Sequence, residues 1–104
     1  MAQFDVYQNL NTHNNKYIPY LLNVQVDLLD VLATRVVVPL ILASEIKKPV
    51  KYLNPVFKIK NVKVIMLTSE LAGIPATKLG SKIASLNNHR HEIIQDLDFL
   101  WTGI

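Results

Sequence analysis

The residues best suited to chemistry in this chain are few and scattered. Its three histidines are His13, His89 and His91. His13 sits in an asparagine-rich stretch with no second chelating residue nearby, and a metal or catalytic histidine needs convergent partners. His89 and His91 are two apart, so on a helix they point to different sides and cannot chelate as an i, i+4 pair could. They read as surface residues near a helix start. Arg35, Asp30 and Thr34 lie close together and offer the cation, acid and hydroxyl that a small β-barrel ribonuclease would bring to one groove. There is no glycine-rich phosphate loop, no Gly-x-Ser-x-Gly elbow and no zinc-like spacing. No catalytic residue, metal or cofactor is assigned from these residues, and the Arg35, Asp30 and Thr34 group is a weak signal that leaves a ribonuclease open.

Two stretches suit binding. Phe99-Leu100-Trp101-Thr102-Gly103-Ile104 is aromatic and glycine-tipped, whereas chain ends are usually polar and frayed unless something ties them down. Such an end is docked on its own domain or offered to a partner. Asp27-Leu28-Leu29-Asp30 closes a strand with two leucines between turn formers. These leucines read either as core residues or as a small apolar knob on the surface, and the residues alone favour the core.

The elements that must position these stretches follow from patterning. With 104 residues, half of them apolar and 18% charged, residues 1–104 form one globular domain. The absence of cysteine and of a signal-peptide layout after Met1 suits a cytoplasmic protein. The longest apolar run, Val36 to Ala43, is eight residues long and interrupted by Pro39. A membrane-spanning helix needs about 20. The net charge is +3, and lysines 47, 48, 51, 58, 60, 63, 78 and 82 crowd the middle of the chain. They form a solvated surface, or a docking face for an acidic partner or for DNA backbone, although no arginine-rich run and no interleaved basic and aromatic stretch supports direct DNA binding.

Strand patterns cover Gln3 to Gln8, Tyr17 to Val26 and Arg35 to Leu42. Pro19 argues that the first part of the second lies on an edge, and Pro39 suggests a bulge or an edge in the third. The continuous apolar run of the third predicts burial on both faces. Ala43 to Lys51 reads as a loop or short helical turn. Val56 to Ile59 and Val62 to Leu67 predict a hairpin around Lys60-Asn61, because Asn tolerates the positive φ of a tight turn. Thr68 to Ile74 could continue that strand, and Ala76 to Leu79 is a short strand stopped by Gly80. Six or seven short strands point to an antiparallel barrel or sandwich. Only the last segment is helical, with Asn87 or Asn88 as N-cap and Ile93, Ile94, Leu97, Leu100 and Trp101 on one stripe. Asp96 and Asp98 sit late, where the helix dipole disfavours acid by ~0.3–1 kcal/mol each. Gly103 stands where a helix cap places a glycine.

Along nearly its full length the chain resembles the CcdB family of toxins. The resemblance is carried by Gln3-Phe4-x-Val6-Tyr7, Val24-Gln25-x-Asp27-Leu28-Leu29-Asp30, Arg35-Val36-Val37-Val38-Pro39-Leu40 and Asn54-Pro55-Val56-Phe57-x-Ile59. Ile74-Pro75, Leu79-Gly80, Leu86, His89-Arg90 and Gly103-Ile104 follow in order. It implies a homodimer of SH3-like barrels of the CcdB/MazF type, mainly β with a C-terminal α-helix, each with a main antiparallel sheet and a smaller one. It further implies a poison of DNA gyrase that binds the gyrase A subunit and traps the enzyme on cleaved DNA. By position the gyrase contacts are Leu28, Leu29, Asp98, Trp101, Thr102, Gly103 and Ile104. A CcdA-like acidic antitoxin is the second implied partner. DNA is met only indirectly through the antitoxin complex, which represses its own operon, and no membrane is involved. With this resemblance Leu28 and Leu29 become candidate surface contacts as well as candidate core. The lysine-rich middle becomes a landing site for the antitoxin. Well-known members end Phe-Trp-Gly-Ile, whereas here Thr102 takes the place of the tryptophan that stacks on a gyrase arginine, a contact worth ~0.5–2 kcal/mol. An endoribonuclease toxin on the same barrel is the second reading, and a folded remnant without toxicity the third.

Overall fold

Strand β3 (Thr34–Leu42) is the longest among the described residues and the one on which the others assemble. The computed structural model describes residues 2–46 and 55–103. Around β3 lie β1 (Asp5–Asn9), β2 (Tyr20–Asn23), β4 (Val56–Ile59), β5 (Val62–Met66), β6 (Ala72–Pro75) and β7 (Leu79–Ser85), followed by helix α1 (Arg90–Thr102). The strands pair in the order β4-β5-β3-β2-β1-β7, with β6 also on β3. All pairings are antiparallel. The fold is mainly β with a C-terminal helix, as expected; its strands form one curled sheet, a half-barrel, rather than the main and smaller sheets that the resemblance implied.

From Arg35 to Leu42 every residue of β3 is buried or half-buried, which matches the reading of its apolar run. Pro39 is neither at an edge nor in a bulge. It marks where β3 changes neighbours, pairing with β6 through Thr34–Val37 and with β5 through Leu40–Leu42. The Pro39 carbonyl accepts the Leu67 N–H at 2.9 Å. A strand residue's N–H and C=O point to the same side, so the missing donor falls between β5 and β6 and costs no ladder bond. Pro19 likewise does not mark an edge: it precedes β2, which lies between β1 and β3.

The β4–β5 hairpin forms as patterned. Lys60 and Asn61 take φ of 50° and 67°, a left-handed pair that suits a two-residue turn. Phe57, Ile59 and Val64 point into the core, while Lys58 and Lys63 face solvent. Two other expectations fail. Thr68 to Ile74 does not extend β5, because a 3-10 turn at Thr68–Glu70 carries the chain across to β6. Ala76 to Leu79 is mostly a second 3-10 turn, Ala76–Lys78, and β7 then runs through Gly80. A Cβ at Gly80 would lie 2.9 Å from Gln8 Cβ, so this glycine permits close approach of β7 to β1 rather than ending a strand.

Phe4, Leu22, Val38, Leu40, Phe57, Met66 and Ile93 belong to one buried cluster, in which Ile93 ties α1 to the sheet. Burying a side chain of this size contributes about 1.5–3 kcal/mol. Asn87 and Asn88 do not cap α1. They form a 3-10 turn, Asn87–His89, and α1 begins after His89 without a side-chain cap. Ring contacts sit there instead: His89 lies edge-on to Phe57 at 5.0 Å, and the Arg90 guanidinium is 5.3 Å from the Phe4 ring centre.

Candidate binding surfaces

The chain leaves β2 through a 3-10 turn, Asp27–Leu29. Polar groups occupy the inner side of the following loop. Gln25, buried, donates to the Leu29 carbonyl at 3.0 Å and accepts from the Val36 N–H at 3.0 Å. Arg35, also buried, donates to the carbonyls of Leu32, Thr34 and Asp30, the last two at 2.8 Å each. Its Nε lies 3.7 Å from Asp30 Oδ1. With Gln25 and Arg35 filling that side, the leucines have no apolar floor to sit on. Leu28 is 86% exposed and Leu29 44% exposed. The core reading that the residues alone favoured is therefore wrong for both. The same bonds bear on the ribonuclease constellation: the guanidinium braces a loop instead of facing a groove.

At the other end of the chain, α1 turns part of its apolar stripe inward and runs on past it. Ile93 is buried, and Ile94, Leu97 and Leu100 are half-buried. Trp101 is 61% exposed. Asp98 and Thr102 are exposed on the outer side, where they line an open groove with His91, Ile94 and Gln95. The Thr102 hydroxyl donates to the Asp98 carbonyl at 2.8 Å. Gly103 caps the helix with φ of 71° and its N–H 2.8 Å from the Phe99 carbonyl, as its position suggested. Ile104 lies outside the described residues, as do Lys47, Lys48, Lys51 and Asn54.

Sequence reasoning missed two residues. Asp96 does not face outward like Asp98. It is buried, and its Oδ2 has no hydrogen-bond partner among the described residues. Burial, with the Glu92 carboxylate one turn earlier, raises its pKa to about 6. Its place beside Ile93 and Leu97 at the edge of the apolar stripe was the available signal. Gln3 is the other. Its N–H donates to Asp27 Oδ1 at 2.6 Å, its side-chain amide donates to the Val24 carbonyl at 3.1 Å, and Arg90 donates to its Oε1 at 2.8 Å. One residue thus connects the base of the leucine turn to the start of α1.

The exposed lysines include a close group. Lys58 stands directly opposite Lys63 across β4 and β5, with Lys60 at the turn between them. Like charges so placed repel, which an acidic partner would relieve. The histidines are all exposed, and His89 Nδ1 is 3.7 Å from a Glu92 carboxylate oxygen. Among the described residues no group of three or more histidine, cysteine, aspartate or glutamate side chains could hold a metal ion. No helix there is long and apolar enough to cross a membrane.

A mainly β fold with a curled antiparallel sheet and a C-terminal helix is consistent with the family that the resemblance named. The family model for the CcdB protein matches residues 3–103. This chain belongs to the CcdB family, whose members are toxins of toxin–antitoxin systems and poisons of gyrase.

Proposed function

We propose that this protein is the toxin of a type II toxin–antitoxin pair that binds the gyrase A subunit and holds gyrase on cleaved DNA. It acts by binding and has no catalysis of its own. The observation that carries the reading is Leu28, almost wholly exposed at the tip of a loop whose backbone is braced from within. Apolar surface held rigidly in water is costly to keep and inexpensive to dock, because little conformational freedom remains to be lost. Leu28 and Leu29 form one contact, and Asp98, Trp101, Thr102, Gly103 and Ile104 form the other. Each protomer of a homodimer would present both. Trp101, one residue earlier than the stacking tryptophan of well-known members, is the aromatic side chain left to meet a gyrase arginine.

The antitoxin is an acidic, CcdA-like chain that docks on the lysine hairpin, and toxin and antitoxin together repress their operon. Deleting Thr102 to Ile104 tests the tail. The truncated protein should keep its fold and dimer and lose its ability to kill cells that lack the antitoxin. Killing undiminished by the deletion would contradict the assignment.

A further inference from the structure

Strand β3 is apolar on both faces, but the core takes only one of them. Val38 and Leu40 point into the core. Val37 and Pro39 fall on the opposite face, where the register sets them beside Ala72 of β6 and Leu21 of β2. With Ile74 these residues floor a cavity of about 530 Å³. That volume lies within the range of small-molecule sites, roughly 300–1,000 Å³. The roof is the chain that follows β1, and one buried side chain holds it in place. Asn9 donates to Asn14 Oδ1 and to the Ile18 carbonyl at 2.8 Å each, and its Oδ1 accepts the Asn11 N–H at 3.0 Å. Leu10 and Ile18 complete the apolar wall.

Charge sits at the two ends of this cavity. Glu70 stands just before β6 and Lys78 just after it, and both line the space. Each is exposed, and neither side chain has a hydrogen-bond or ion-pair partner among the described residues. The four residues of β6 between them span about 13 Å at ~3.3 Å per residue. An acid and a base flanking an apolar floor of that length match a ligand that is cationic at one end, anionic at the other and apolar between. We infer that the cavity binds a short apolar peptide with both termini free, about four residues long when extended, its amine beside Glu70 and its carboxylate beside Lys78. A fatty acid or another apolar molecule with one charge would leave one end unmatched. None of the lining residues belongs to the leucine turn or to α1, so the site stands independently of the gyrase reading.

The test titrates isotope-labelled full-length protein with the tetrapeptide Leu-Ala-Val-Leu and follows backbone amide signals by NMR. The free-ended peptide should move the Val37, Ala72 and Ile74 amides saturably and leave those of Leu28 and Trp101 unmoved. The same peptide, acetylated and amidated at its ends, should bind about tenfold more weakly. Glu70→Lys and Lys78→Glu, both at exposed positions, should each weaken binding about threefold. The double exchange should restore it, with the peptide running the other way. No saturable shift at millimolar peptide overturns the inference. Equal binding of the capped peptide also overturns it, because apolar contact alone then accounts for the affinity. If unlabelled protein moves the same amides as its concentration rises, and peptide does not displace it, a second copy covers the cavity and the proposal is wrong. Gyrase takes no part in the experiment, so each of these outcomes leaves the gyrase reading as it stands.

Discussion

The leucine loop and the helix end are both apolar, exposed and flanked by an aspartate, yet they are built in opposite ways. The loop is held from inside: Arg35 and Gln25 are buried and spend their donors on its carbonyls. The helix end is held from behind, by Ile93 two to three turns back and by the Gly103 cap. The loop therefore meets a partner with its shape already set, while the last turn of α1 keeps Phe99 and Leu100 half-buried and leaves Trp101 and Thr102 exposed. Pre-ordering lowers the entropy cost of docking, so the loop should carry more of the affinity and the tail more of the adjustment.

The largest effect should come from the loop's tip. Leu28→Ser/Leu29→Ser removes the most exposed leucine and its neighbour, and titration should show gyrase A affinity down at least ~100-fold with Tm unchanged. A variant that bound as before would shift the weight to the tail. Arg35→Met comes next, and its effect is on the fold. It strands several loop carbonyls and the Asp30 carboxylate, so denaturant unfolding should show a loss of about 2–4 kcal/mol. For a domain of this size each kcal/mol corresponds to roughly 4–8 °C in Tm. If RNA cleavage accompanied the parent protein and vanished in this variant, the loop would be a nuclease site after all.

Asp96→Asn separates the helix's anchor from its tip. A carboxyl whose folded pKa is raised above its unfolded value binds its proton more tightly in the native state, so stability falls as pH rises through the folded value. Here the window runs from about 4 to about 6. The asparagine variant should be more stable than the parent by about 1–3 kcal/mol at pH 7 and nearly equal to it at pH 4. Gyrase affinity should not change, because Asp96 is buried, unlike the exposed Asp98 and Thr102. The smallest effect is at the cap. Gly103→Ala forces a β-carbon into a left-handed backbone and should cost about 1 kcal/mol locally, seen as faster amide exchange in the last turn.

The same contrast explains what could be read from residue types. The β4–β5 hairpin was legible because its signals are local: alternating apolar and lysine residues on either side of Lys60-Asn61. The helix was legible from a stripe and a terminal glycine. Gly80 was misread because its role is a close approach between β7 and β1, which composition does not reveal. Pro39 was misread because a central strand that changes partners tolerates a missing donor. The leucine loop was misread for a physical reason. Leucines go inside only where an apolar floor exists, and here Arg35 and Gln25 occupy that place. Gln3 reaches Asp27 and Arg90 across most of the chain, and nothing near it announces either contact.

The central claim is that this protein poisons gyrase by binding. Its most direct test is a DNA cleavage and supercoiling assay with purified gyrase A and B subunits, ATP and relaxed plasmid. Adding the protein should accumulate cleaved DNA bound to gyrase and stop supercoiling. Unimpaired supercoiling with no cleaved DNA, at protein well in excess of gyrase, would contradict it.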